Sequence, residues 1–141
     1  MEFWVDTNVI LRFLAKDHRE HSEAAWKIFM DANEGKHSLR VHSTVLAECC
    51  YVLEGSYYGY DRATIASALM ALLTSKGVKP ESPVLLNALD VYRTQNVDFE
   101  DALLASLSNR DRLPVLSFNW KDFRKCGCDF RDPMTVFGDE D

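Results

Sequence analysis

Acidic and amide side chains recur in this chain where a β-prone or apolar run gives way to a helical pattern. In a parallel α/β sheet, ligands bind beyond the carboxyl ends of the strands, so polar residues at these junctions are candidates for a common site. Each position also has an ordinary structural interpretation, such as a turn, a helix cap or a glutamate at the rim of an apolar helix face. The residues at these junctions are Asp6, Glu48, Asp98, Asp101, Asn119 and Asp122.

Three of these acids carry a joint implication that none of them carries alone. If Asp6, Glu48 and Asp101 converge, three negative charges lie within a few ångströms of one another. Such an arrangement is strongly unfavourable, or forces protonation, unless a cation compensates it. The set contains no histidine, which suits Mg²⁺ or Mn²⁺ better than zinc. A site of this kind supports phosphoryl transfer, in which the metal activates water and neutralises charge on the leaving oxygen.

Strand-like and helix-like patterns alternate along the chain, which predicts a mostly parallel sheet with helices on both faces. The predicted strands are β-prone runs at 2–5, 39–42, 113–117 and 134–137. Helical spacing of apolar residues predicts helices through 9–14, 22–32, 45–53, 61–73, 83–92, 98–107 and 120–124.

Short polar residues and one glycine mark the predicted ends of these helices. A serine, threonine or aspartate just before an apolar helical pattern is typical of an N-cap, and glycine is typical of the position after a helix. The predicted N-caps are Ser22, Ser43 or Thr44, Asp61, Ser82 (followed by Pro83) and Asp98, and Gly35 is the predicted terminator.

The composition is that of a globular domain and excludes several other classes of protein. Hydrophobic residues make up 47% and charged residues 27% of the 141 residues, which excludes a mainly disordered chain. The 16 basic and 22 acidic residues give a net charge of −6, which argues against nucleic-acid binding by bulk electrostatics but allows a nuclease with a local basic patch. No apolar stretch approaches the ~18 residues of a membrane span, and the first residues do not form a secretory signal. We therefore expect a cytoplasmic protein without membrane association.

The four cysteines, Cys49, Cys50, Cys126 and Cys128, are expected to be free thiols in such a compartment. Cys126-Gly127-Cys128 lacks the spacing of a CxxC motif and has no histidine nearby in sequence, so a structural zinc site is disfavoured.

Four blocks of sequence carry a resemblance to a known family. They begin with Asp6-Thr7-Asn8, Val45-Leu46-Ala47-Glu48, Val97-Asp98-Phe99-Glu100-Asp101 and Val115-Leu116-Ser117-Phe118-Asn119. In this order, and over positions 6 to 123, they resemble PIN-domain proteins and in particular the VapC-type toxins. The first and third blocks are fairly specific motifs, whereas the second is weak by itself.

The resemblance implies a fold, an activity and a set of site residues. The fold is a three-layer α/β/α sandwich with a central, mostly parallel sheet, here a single domain over 1–138 followed by an acidic tail at 139–141. The activity is that of a Mg²⁺- or Mn²⁺-dependent endoribonuclease acting as the toxin of a type II toxin–antitoxin pair. Asp6, Glu48 and Asp101 match the three main acids of the family, with Asp6 and Asp101 as metal ligands and Glu48 binding metal or orienting the attacking water.

The fourth acidic position of the family is altered in this chain. Asn119 stands where many members have aspartate, and Asp122 is the nearest replacement, a departure that bears on a second metal ion. Asn8 and Ser117 match polar positions expected to hold the acids in place. Asp98 is interpreted as the helix cap and not as a ligand.

The resemblance also implies an RNA substrate, a small antitoxin partner and a homodimer. Basic side chains that contact phosphates position RNA without reading its sequence. The candidates for these contacts are Arg12, Lys121, Arg124 and Lys125, each with a solvated surface as its alternative role. Aromatic residues are enriched at protein interfaces, and the candidates here, with the core as the alternative, are Trp26, Phe29, Tyr51, Tyr57 and Tyr58.

Two other functions compete with this interpretation. In an aspartyl-nucleophile phosphatase or dehalogenase, Asp6 would attack the substrate, but the phosphatase pattern Asp-x-Asp is broken by Asn8. The second alternative is a non-catalytic PIN-like module that binds RNA or protein, which the altered position at Asn119 would allow.

Overall fold

The structure, a computed structural model, describes residues 1–136 and divides the chain into two compact units, Met1–Pro83 and a second that begins at Val84. Phe137, the last residue of the predicted fourth strand, lies outside the described residues. The predicted domain end at 138 and the predicted acidic tail at 139–141 also lie outside them.

The first unit is a parallel three-stranded sheet with four helices. The strand order is β1-β2-β3, with Phe3 opposite Leu39 and Leu39 opposite Val78. The elements, in chain order, are β1 (Glu2–Trp4), α1 (Thr7–Ala15), α2 (Arg19–Asn33), β2 (Ser38–Val41), α3 (Ser43–Glu54), α4 (Arg62–Leu73) and β3 (Val78–Pro80).

The buried side chains of β2 lie on one face of the sheet. Leu39 and Val41 are buried, whereas Arg40 between them is half-buried, as expected when successive side chains point to opposite faces. Buried residues of the four helices complete the core of the unit and include Ile10, Phe29, Leu46, Leu53, Ile65 and Leu69. Phe29, a predicted interface candidate, is therefore a core residue, while Trp26, Tyr51 and Tyr57 are exposed.

Two histidines, and not the predicted serines or threonine, cap helices in this unit. His18 Nδ1 accepts the N–H of His21, so α2 begins three residues before Ser22. His42 Nδ1 accepts the N–H of Thr44 at the start of α3. The predicted caps were wrong because imidazole nitrogen also accepts backbone N–H groups, although serine and threonine are preferred statistically. The predicted cap of α4 is confirmed, since Asp61 accepts the N–H of Thr64 at 2.7 Å.

Strand β3 was not predicted from the sequence. It is only three residues long, and it ends at Pro80, which has no N–H and is tolerated because β3 lies at the edge of the sheet. Gly77 precedes it with φ +85°, and a Cβ there would overlap the carbonyl of Ala32 at the end of α2. The close approach of helix and strand therefore requires glycine at this position.

Up to Val136, where the described residues end, the second unit contains four helices and a parallel two-stranded sheet. Strand β4 pairs with β5, with Val115 opposite Phe130. Its small core of Ala105, Val115, Phe123 and Cys128 joins α6, β4 and α7. The elements are α5 (Val84–Gln95), α6 (Phe99–Asp111), β4 (Val115–Leu116), α7 (Trp120–Lys125), β5 (Phe130–Arg131) and α8 (Pro133–Val136).

The end of the described chain differs from the prediction. The segment predicted as a strand from Met134 is the helix α8, because the Asp132 carboxylate accepts the N–H of Met134 at 2.8 Å and Pro133 occupies the first helical position. The strand predicted at 113–117 is shorter in the structure, where it covers Val115–Leu116. Helix α5 begins at Val84, directly after the predicted start at Ser82 and Pro83.

The α/β class and the parallel pairing of the strands are confirmed. The four cysteines are free thiols. Over residues 1–136, no helix combines the length and apolar character needed to cross a bilayer.

Candidate functional site

The first unit brings Asp6 and Glu48 to the same threonine. Asp6 is the N-cap of α1, and its Oδ1 accepts the backbone N–H of Thr7 at 2.8 Å. The Thr7 hydroxyl, which is buried, donates to Glu48 Oε2 at 3.0 Å from the first turn of α1 to the middle of α3. Thr7 therefore links the two carboxylates, and both carboxylate residues remain exposed to a ligand.

The negative charges of Asp6 and Glu48 also affect the buried thiol of Cys49. The pKa of Cys49 is raised to about 12, chiefly by burial and in smaller part by the charges of Glu48 and Asp6. The thiol consequently stays protonated at neutral pH, and it is neither a nucleophile nor a ready metal ligand. The chemistry of this end of the first unit rests on oxygen atoms.

The second unit holds the other predicted acids together through an amide. Asn119 Nδ2 donates to Asp122 Oδ2 at 2.9 Å, and the Asn119 N–H donates to Ser117 Oγ at 2.9 Å. Asp122 in turn neighbours Asp101, in the first turn of α6. Hydrogen bonds thus connect the polar residues after β4 to one another, and the last of these residues, Asp122, lies beside the carboxylate of Asp101.

Burial is the main cause that raises the pKa of Asp101. The charges of Asp122, Asp98 and Glu100 act in the same direction, as does a hydrogen bond with Asp122. Each of these causes disfavours the ionised carboxylate, and each would be relieved by a bound cation. Asp98 occupies the N-cap position of α6, as predicted, and its carbonyl accepts the N–H of Ala102 at 2.9 Å, but its side chain makes no capping hydrogen bond.

None of the four candidate carboxylates is neutralised by a basic side chain. Among residues 1–136, no lysine, arginine or histidine forms an ion pair with Asp6, Glu48, Asp101 or Asp122. Other acids of the chain do have such partners, such as Asp17 with Arg12 at 2.9 Å. The candidate site residues therefore carry negative charge that the described protein does not compensate.

The donor atoms of these residues fit a hard divalent cation. They are carboxylate and amide oxygens, which Mg²⁺ and Mn²⁺ prefer. Within the described part of the chain, no three histidine, cysteine, aspartate or glutamate side chains are already arranged to hold a metal ion. Each unit instead presents a pair of carboxylates with a polar residue that fixes one of them.

The predicted phosphate-binding residues differ in their availability. The Arg12 guanidinium is held by Asp17, whereas Lys121, Arg124 and Lys125 on α7 are exposed and have no carboxylate partner among the residues described. The Arg124 guanidinium lies over the Trp120 ring at 4.7 Å, a cation–π contact that leaves its charge uncompensated. The basic surface of this unit therefore lies on the helix that also carries Asp122.

Two positions of the site differ from what the sequence suggested. Thr7 was not among the predicted site residues, yet it holds Glu48, and a partner 41 residues away leaves no local signal in a sequence. Asn8, expected to hold an acid, is exposed beside a small hollow of about 240 Å³ between α1 and α2 that Arg12 and His21 also line.

Comparison with known proteins agrees with this picture. No curated protein sequence matches the chain. PIN domains are commonly nucleases, and PIN-domain nucleases generally use divalent metal ions. A model of the PIN domain matches residues 3–127, which include every candidate site residue described above, and the chain belongs to the PIN domain family.

Proposed function

We propose that this protein is a Mg²⁺- or Mn²⁺-dependent endoribonuclease that hydrolyses RNA phosphodiesters. The observation that carries the proposal is the presence, in a PIN-domain chain, of Asp6, Glu48, Asp101 and Asp122 without basic partners among residues 1–136. A folded protein rarely leaves several neighbouring carboxylates uncompensated, because their repulsion destabilises it unless a cation binds.

In this proposal the predicted acids serve one reaction. Asp6 and Asp101 would hold the cation, and Glu48, oriented by Thr7, would bind it or align the attacking water. A divalent cation in such a site polarises the phosphate and neutralises charge that develops on the leaving oxygen. Asn119 and Ser117 keep Asp122 in place beside Asp101, and Asn8 is retained as a polar supporting residue. Lys121, Arg124 and Lys125 attract the RNA backbone, with a smaller contribution from the paired Arg12.

The test is cleavage of a labelled single-stranded RNA by purified protein. We expect cleavage with Mn²⁺ or Mg²⁺, loss of cleavage with EDTA, and a fall of at least about a hundredfold in kcat for Asp6→Asn or Asp101→Asn. Glu23→Gln is the matched control, since Glu23 is an exposed acid whose side chain lies 3.7 Å from Arg19. Its activity should equal that of the unaltered protein.

A double variant tests whether acids of both units bind the same ion. If they do, Asp6→Asn and Asp101→Asn are strongly non-additive, and the double variant is scarcely worse than either single one. Cleavage that survives both EDTA and Asp6→Asn would identify a contaminating nuclease. RNA binding without metal-dependent cleavage would favour the alternative, a non-catalytic PIN-like binding module.

We further propose that the protein acts as the toxin of a type II pair in the cytoplasm, as a homodimer bound by a small antitoxin. The support is the resemblance of its four sequence blocks to VapC-type toxins, together with the exposed aromatic residues Trp26, Tyr51 and Tyr57 as contact candidates. A short reading frame directly upstream that encodes a DNA-binding protein, and suppression of toxicity on its co-expression, would support this role. Expression without growth arrest in the absence of that partner would contradict it.

A further inference from the structure

We propose that Phe118 is a base-stacking residue of this protein, which packs its ring against a nucleobase of single-stranded RNA beside the carboxylates of the second unit. The inference rests on the proposed function and assigns a residue that binds the substrate of its site.

Phe118 is a large apolar side chain that is exposed to solvent, on a segment whose neighbouring residues are fixed by hydrogen bonds. Its side chain is 70% exposed, whereas Phe123, five residues later, is buried in the core of the unit. The residues on either side are fixed, because the Ser117 N–H donates to the Arg131 carbonyl at 3.1 Å and the Asn119 side chain donates to Asp122. The ring is therefore presented on an anchored turn between β4 and α7.

The surroundings of this ring distinguish it from the other exposed apolar residues. Isolated hydrophobic side chains on a surface are common and need no function. Phe118, however, lies one residue before Asn119, which binds the carboxylate of Asp122, and immediately before the helix that carries Lys121, Arg124 and Lys125. The Asp122 carboxylate, three basic side chains without a carboxylate partner among the described residues, and an exposed aromatic ring are thus contributed by one segment of nine residues, 117–125.

This combination matches the requirements of an unpaired nucleic-acid strand. Its phosphates need cations, and its bases, which are free to turn outward, need an aromatic face. A duplex keeps its bases stacked on one another and offers none to the protein. Trp120 is the other ring of the segment, but the Arg124 guanidinium lies over it and it is only 39% exposed. Phe118 is therefore the ring that we assign to the base.

The experiment measures binding and cleavage separately on the full chain. Binding of a fluorescent single-stranded RNA is followed by anisotropy in EDTA, which prevents metal-dependent turnover, and kcat and KM are then measured with Mn²⁺. We expect Phe118→Ala to raise Kd and KM about tenfold with little change in kcat, and Phe118→Trp to restore both. Tyr60→Ala, which removes an exposed ring of the first unit, should leave Kd unchanged.

Two further measurements separate stacking from charge and from protein contacts. Phe118→Ala should leave the slope of log Kd against log salt unchanged, whereas Lys121→Gln and Lys125→Gln should each reduce it by about 0.7. An oligonucleotide series in which successive bases are replaced by abasic sites should contain one position whose loss weakens binding to the unaltered protein but not to Phe118→Ala.

The outcomes distinguish this inference from the proposed nuclease function. Metal-dependent cleavage with unchanged Kd and KM in Phe118→Ala overturns the inference and leaves the nuclease standing. RNA binding that depends on Phe118, in a protein that does not cleave, supports the inference and overturns the nuclease. Equal affinity for duplex and single-stranded RNA, or a change of oligomeric state in Phe118→Ala with unchanged RNA affinity, assigns the ring to another role and overturns the inference.

Discussion

The Thr7 hydroxyl donates a 3.0 Å hydrogen bond to the Glu48 carboxylate across 41 residues of sequence. Thr7 also gives its backbone N–H to Asp6, so one residue orients both acids of the first unit. Outer partners of this kind commonly change metal affinity or activity by about 10- to 100-fold when they are removed. The geometry therefore makes Thr7 a positioning residue of the proposed site.

Replacement of Thr7 by valine tests this role, because valine keeps the shape of threonine and removes only the donor. We expect Thr7→Val to weaken Mn²⁺ affinity about tenfold and to lower cleavage accordingly, and Thr7→Ser to restore both. Isothermal titration and single-turnover cleavage provide the measurements. Thr74→Val is the control, since the Thr74 hydroxyl bonds only to carbonyls of its own helix. Similar losses in both variants would show that the Thr7 bond has no special function.

Asp101 is expected to destabilise the metal-free protein. Its pKa is raised, chiefly by burial, so its proton is bound more tightly in the folded than in the unfolded state. The protonated Asp101 carboxyl therefore contributes its full stabilisation at pH values below its ordinary pKa of 3.8. That stabilisation is lost as pH rises through the folded-state pKa. Asp101→Asn should consequently unfold at a slightly higher temperature than the unaltered protein at pH 7 in EDTA.

Metal addition should reverse that order of stability. A ligand present at 100 times its Kd stabilises the folded state by about 2.7 kcal/mol, which for a chain of this size raises Tm by roughly 5–10 °C. We expect that shift for the unaltered protein and a much smaller one for Asp101→Asn, measured by differential scanning fluorimetry. Because carboxylates must be ionised to coordinate, the shift should shrink as pH falls. Equal shifts in the two proteins would remove Asp101 from the site.

The Tyr58–Asp17 hydrogen bond, at 2.6 Å, predicts a pH dependence of stability that is separate from the metal. It raises the pKa of Tyr58 to about 12 and is the main cause that lowers the pKa of Asp17. The stability due to Tyr58 is full below pH 10 and is lost as pH rises toward 12. The stability due to Asp17 is present above its ordinary value of 3.8 and is lost as pH falls below it.

Tyr58→Phe removes this bond and keeps the ring. Urea unfolding from pH 3 to pH 11 measures the free energy of unfolding of both proteins. The variant should fall below the unaltered protein by the largest amount near neutral pH and by less at both extremes. Spectrophotometric titration of the unaltered protein should show one tyrosine that ionises well above the others. A deficit that does not change with pH would mean that the ring packing, and not the hydrogen bond, supports this contact.

The close approach at Gly77 predicts a large effect of a single methyl group. Gly77→Ala places a Cβ against the Ala32 carbonyl in addition to straining a backbone of φ +85°, and should destabilise the protein by about 3–5 kcal/mol. Gly35→Ala is the matched control, because Gly35 has φ +83° and open space around its Cα. Gly35→Ala should lower the free energy of unfolding by only ~1 kcal/mol. Equal losses in chemical denaturation would show that α2 and β3 can separate at this point.

Periodicity and short-range chemistry were enough to predict much of this fold. Helices α1 to α7 were identified by the spacing of their apolar residues, and Asp61 was correctly predicted as a cap, because these signals depend on neighbours within one or two turns. The α/β class followed from the alternation of elements. Strands β3 and β5 were missed, since runs of three and two residues carry too little pattern to separate them from loops.

The sequence by itself was enough to predict the candidate acids of this PIN-domain chain, because Asp6, Glu48 and Asp101 stand within short motifs of fixed order. Only the tertiary structure decided what holds and surrounds them. Thr7 bonds to Glu48, Asn119 bonds to Asp122, and Arg12 pairs with Asp17, while the cations of α7 have no carboxylate partner in the described part of the chain. The physical reason is the separation along the sequence over which each signal acts. A motif records the residue types that a reaction needs, whereas a hydrogen bond or an ion pair depends on which distant side chains packing brings within about 3 Å.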